Sequence, residues 1–172
     1  VALETAFELA KQFSAHVEAL FVRADPTAAL PLGYIGDMSG AAAQYVMEAA
    51  IKAANEAQKI AQAAFAKATD TTGIPVSTPT SVQTRPSAEL RIEQGDFADQ
   101  IERRSRLCDL IVFGGAAKDM ERPLIHEGFE SALMSGSRPV LFVPQQSKSA
   151  LGQRIGIAYD GSAAAAHAVT GA

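Results

Sequence analysis

The feature that most constrains this chain lies near its end. Residues 154–159 (Arg-Ile-Gly-Ile-Ala-Tyr) read as a short apolar strand, Asp160-Gly161-Ser162 as a tight turn, and residues 163–168 as the start of an alanine-rich helix. A strand that feeds a helix through so short a turn opens a unit of parallel sheet, and it needs such a sheet to enter. The other end is complementary. Residues 1–13 already carry a helical pattern, with Leu3, Phe7, Ala10 and Phe13 on one face and no strand before them. The chain is therefore one element out of phase with the fold it builds. Residue 1 is a valine inside that helix, which implies that the natural N-terminus precedes it.

Between these ends, strand-like and helix-like segments alternate. Residues 16–22 form an apolar run with little room for a solvent face, the pattern of a strand buried on both sides. Residues 23–40 hold two prolines and three glycines and read as a long loop. An alanine-rich helix over 41–68 follows, longer than a sheet needs and stopped by residues 69–73. Residues 74–87 are extended and irregular. Leu90 and Ile92 then alternate with Glu89, Arg91 and Glu93, which marks a half-exposed edge strand. Gly95 ends it, and Asp96 caps a helix that runs to about Leu107. Asp109-Leu110-Ile111-Val112-Phe113 is the most apolar strand and is expected at the centre. A short helix over 126–135, broken by Gly136, precedes a last strand, Pro139-Val140-Leu141-Phe142-Val143. Residues 145–153 are a polar linker.

A chain of 172 residues suits one domain with a sizeable core. The net charge is −4, and no basic block of the kind that neutralises phosphates is present, which argues against nucleic acid. Arg103, Arg104 and Arg106 fall at the end of a helix, where they complement its dipole. The lone cysteine, Cys108, fits a reducing compartment and a packing role. No apolar run approaches the length that crosses a bilayer, and no signal peptide is visible. Together these give a cytoplasmic protein with no membrane partner.

Four of these segments resemble the universal stress protein family in the right order and spacing. Asp109-Leu110-Ile111-Val112-Phe113-Gly114 is similar to the family's fourth strand and its glycine, and Pro139-Val140-Leu141-Phe142-Val143 to its final strand. Gly95-Asp96 resembles the start of its third helix. Residues 155–162 resemble its first strand and Asp-Gly-Ser turn. The resemblance implies an α/β fold: a doubly wound, parallel five-stranded sheet in the order 3-2-1-4-5 with helices on both faces. Residues 1–144 would be one domain lacking its first strand, 145–153 a linker, and 154–172 the start of a second repeat. The C-terminal segment 154–159 would then supply the central strand, within its own chain or swapped into a neighbour, since an open gap would expose two apolar edges.

Many members of that family bind ATP where small residues let backbone N–H groups approach the phosphates at a helix N-terminus. Carried over, the nucleotide positions are Val22, Phe113, Gly114, Ala117, His126, Glu127 and Asp160. The pattern is degenerate. Ala117 stands where the second glycine belongs, and His126-Glu127 replaces the final Gly-Ser pair, placing a carboxylate where a triphosphate would sit. Asp160 is retained, although Asp-Gly-Ser also serves as an ordinary turn and cap. His126 with Glu127 has no third ligand at metal spacing. His16 and His167 need only structural roles, and no catalytic triad or dinucleotide fingerprint is visible.

The expectation is a non-enzymatic stress-response protein without a cofactor. It would act by binding and by homodimerisation through Pro139-Val140-Leu141-Phe142-Val143 or a swapped 154–159 strand. The alternative is a nucleotide switch that takes ATP with Mg²⁺.

Overall fold

The helical pattern of the first residues produces α1 (Ala2–Phe13), which ends where Ser14 takes a left-handed conformation with φ of 53°. A computed structural model of the chain describes residues 1–29, 40–79, 84–115, 123–136, 138–145 and 156–171. After α1 come β1 (His16–Arg23), a short 3-10 turn (Pro26–Ala29), α2 (Gly40–Thr72) and β2 (Ser87–Gln94). These are followed by α3 (Phe97–Ser105), β3 (Ile111–Gly115), α4 (Pro123–Ser135), β4 (Val140–Pro144) and α5 (Ala163–Gly171). The fold is mixed α/β. Both strand pairs are parallel, as crossovers through helices require.

β1 pairs with β2 from His16↔Ser87 to Arg23↔Gln94, and β3 with β4 from Ile111↔Val140 to Gly115↔Pro144. Alternation sends Val17, Ala19 and Leu90 to one face of the first pair. There they meet a core of Phe7, Ala10, Phe65, Ala68, Ile74 and Ala88 supplied largely by α1 and α2. The outer edge of β2 is partly covered by a bridge from Val76 to Ala88. In the second pair, Phe129 of α4 meets Phe113 and Phe142 edge to face, at ring separations of 5.4 and 5.9 Å. Gly114 points the other way and lies against α1, where an added Cβ would be 2.2 Å from that of Ala2. Helices therefore cover both faces of β3–β4, and α1 touches both strand pairs.

Some expectations are not met among the described residues of the single chain. The described residues form two separate two-stranded sheets instead of one five-stranded sheet. Of residues 154–159, expected as the central strand, 156–159 have no strand partner among the described residues and are exposed; 154 and 155 lie outside the described residues. The chain leaves β4 at its carboxyl end, whereas a parallel insertion must start at the amino end. β1 is half-buried at every position, not buried on both sides, because only one of its edges is paired. β3 is likewise an edge strand. Phe13 is 75% exposed, one turn past the covered part of α1.

α2 stops within the expected run 69–73, at its last residue. Its last threonines stay helical because their hydroxyls bond back to carbonyls: Thr69 Oγ1 donates to Ala66 O at 2.8 Å and Thr72 Oγ1 to Ala68 O at 2.7 Å. Gly73, with φ of +68°, is the terminator. At α3, Asp96 caps as the sequence implies, its carboxylate accepting from the Asp99 N–H at 3.0 Å.

Candidate functional site

In parallel sheets, ligands gather at the carboxyl ends of the strands. Val22 and Phe113 sit near those ends of β1 and β3, both half-buried. Gly114 and Gly115 finish β3, and Ala117 lies outside the described residues. Gly114 owes its missing side chain to the close approach of Ala2, so one side of it is closed by α1. Gly115 gives its carbonyl to the Gln145 N–H at 3.2 Å.

His126 and Glu127 belong to α4, which already starts at Pro123, so they lie beyond the helix's first residues and not ahead of it. Both are exposed, and His126 Nε2 is 3.9 Å from Glu130 Oε2. Two carboxylates thus line this exposed part of α4. Gly128 is buried against α3. A Cβ there would come within 2.1 Å of Phe97 Cε1, so this glycine serves helix packing and not a phosphate.

Asp160 accepts a hydrogen bond from the Ser162 N–H at 2.8 Å, and Ser162 Oγ in turn accepts from the Ala165 N–H at 3.0 Å. Gly161 supplies the positive φ of +83° that the turn requires. The hydrogen bonds from Ser162 hold the Asp160 carboxyl below the usual carboxylate range. Asp-Gly-Ser is therefore a turn and helix cap here. Residues 156–160 are in neither sheet, so Asp160 is not carried by a strand beside β1 and β3.

The larger polar constellation was not foreseen as a cluster. On the face of β1–β2 opposite the core, Arg91 Nε donates to Glu18 Oε2 at 2.7 Å and Arg91 Nη2 to Glu89 Oε1 at 2.6 Å. Arg104 of α3 pairs with Glu93 and lies 3.6 Å from Glu18. Hydrogen bonding to Glu89, followed by the charge of Glu18, raises the Arg91 pKa. His16 Nδ1 shares a 2.8 Å hydrogen bond with Ser87 Oγ. His16 Nε2 has no hydrogen-bond partner among the described residues, with Glu89 Oε1 3.9 Å away. Acids and arginines satisfy one another, so the network joins β1, β2 and α3 and leaves no unpaired cation to receive an anion. Its members were visible as the polar alternation of β2, but only the register that sets Glu18 opposite Glu89 brings them together.

Other groups are occupied too. Burial pushes the Cys108 thiol up, which keeps it protonated and unreactive at neutral pH. A groove of about 500 Å³ runs between Arg23 and α2, lined among others by Glu48, Lys52 and Glu56. Within it Arg23 Nη2 is spent on Asn55 Oδ1 at 2.8 Å. No group of three metal-ligating side chains occurs among the described residues. Nor is any described helix long and apolar enough to cross a membrane. No protein-family model, curated protein or solved structure matches this chain. The resemblance to universal stress proteins rests on the residue patterns alone.

Proposed function

We propose that the chain is a stress-response protein of the universal stress protein type that works by binding and self-association, without turnover and without ATP. One observation carries the reading: among the described residues β1 and β3 are each paired on one edge only, and their apolar residues stay half-buried in the single chain. Strand edges of this kind are templates for another strand. The outer edge of β4, with Pro139-Val140-Leu141-Phe142-Val143, is a further edge of the same sort.

Against ATP stand the glycines. Gly114 and Gly128, the small residues nearest the family's phosphate positions, are both filled by neighbouring side chains. Glu127 and Glu130 add negative charge on the exposed side of α4. The test is calorimetric titration of nucleotide-free protein with ATP and Mg²⁺. No heat is expected at micromolar concentrations. Micromolar binding overturns the reading and makes the nucleotide switch the better one.

A further inference from the structure

α1 rests over β1 and β3 more than over β2 and β4, which makes β1 and β3 the inner strands. On the opposite face α3 reaches β1 through Arg104 and Glu18. It also packs on α4, whose Phe129 sits on β3 and β4. The two half-sheets are thus held side by side from above and below, with their inner edges unjoined. A helix with its side chains is about 10–12 Å across, and neighbouring strands lie about 4.8 Å apart. A helix is thus about as wide as two strand spacings, so one helix can rest on two strands that have a third between them.

We infer that a second copy of this chain fills that place with its residues 156–160, each copy lending the segment to the other. This rests on the self-association reading above and names its partner and its edge. The segment is Gly-Ile-Ala-Tyr-Asp, as long as the five-position ladder of β3 and β4. Ile157 and Tyr159 are 58% and 61% exposed, large apolar side chains that the single chain leaves in water. Behind them the turn, the Ser162 cap and α5 are already formed, so a strand–turn–helix unit stands complete except for its sheet. Inserted alternately, Ile157 and Tyr159 share one face of the sheet, and the inner edges of β1 and β3 both gain a ladder.

The single chain does not fill the place itself. A parallel fit sends it back from the carboxyl end of β4 across the height of the sheet, roughly 17 Å for five residues. The folded chain has not made that return, because residues 156–160 lie outside both sheets. A second copy's segment is tethered by a linker of the same length, and a two-fold exchange closes both gaps with identical contacts.

The experiment is light scattering on the full chain from low micromolar to a few hundred micromolar, with amide hydrogen exchange on the same samples. A dimer is expected, with slowed exchange at residues 17–22, 111–115 and 157–159. The double substitution Ile157→Asp and Tyr159→Asp, checked for an unchanged circular dichroism spectrum, should return a monomer and release that protection. A wild-type monomer over the whole range overturns the inference, whether its segment stays free or enters its own sheet. A dimer that leaves the amides of β1 and β3 in fast exchange also overturns it and points to the outer edge of β4. Neither result depends on whether ATP binds, so failure here is separable from failure of the functional reading.

Discussion

Around Phe7 the first half of the molecule closes on itself. The ring is fully buried and meets Phe65 edge to face at 5.8 Å, while Ala10, Ala68, Ile74 and Ala88 fill the space beside it over an eight-position ladder. The second half has a five-position ladder, with Ala132 and Val143 as its buried hydrophobic residues among those described. It brings its helices close through glycines, Gly114 under Ala2 and Gly128 under Phe97. One half is held by side-chain volume and the other by its absence. α1 belongs to both, since Phe7 anchors the first core and Ala2 rests on β3. Apolar burial sets the strength of the first half, and backbone proximity sets the precision of the second.

The largest effect is expected where volume is removed from the first half. Phe7→Ala should cost about 3–5 kcal/mol in urea unfolding. Because α1 covers both strand pairs, the loss should appear as one transition lowered as a whole. Two separated transitions would show the halves to be independent and break the comparison.

A smaller effect follows from adding volume to the second half. Gly128→Ala forces the Phe97 ring to move and should cost about 1–3 kcal/mol. Hydrogen exchange should quicken in α3 and α4 while β1 and β2 keep their protection; equal loosening of both halves would contradict the distinction drawn here. The smallest effect concerns the joint between α1 and β1. Ser14 holds a positive φ, so Ser14→Gly should relieve that strain and stabilise by about 0.5 kcal/mol after the entropy of glycine is set against it. Thermal melting should rise by roughly 1–2 °C. A fall would mean that the Ser14 side chain contributes more than its backbone costs.

Legibility followed the range of the interaction. The Asp96 cap, the Gly136 break and the edge character of β2 depend on a few adjacent residues, and the sequence carries them openly. The burial of β1 and β3 depends on what lies beside them, so Leu20 and Phe21 or Val112 and Phe113 read as interior although each is half-buried. Within residues 69–73 the threonines stay helical because a hydroxyl such as that of Thr69 finds a carbonyl inside the helix. At the candidate site, Gly128 is buried for a reason that lies in another helix. Its contact with Phe97 joins residues from two helices and has no signal along the chain. The pairing of Arg91 with Glu18 likewise needs the register of two strands far apart in sequence.

α2 has a consequence of its own. It is 33 residues long, about 50 Å, and its buried residues are Phe65, Ala68 and Thr69, all in the final turns. Residues 40–64 are tied to β1 through Arg23, which donates to Asn55, and otherwise lean largely on alanine's intrinsic preference for the helix. Such a stretch shortens gradually toward the core as temperature rises, while the turns beneath it give way together with the core. A single unbroken helix thus joins a segment that melts by degrees to one that melts all at once.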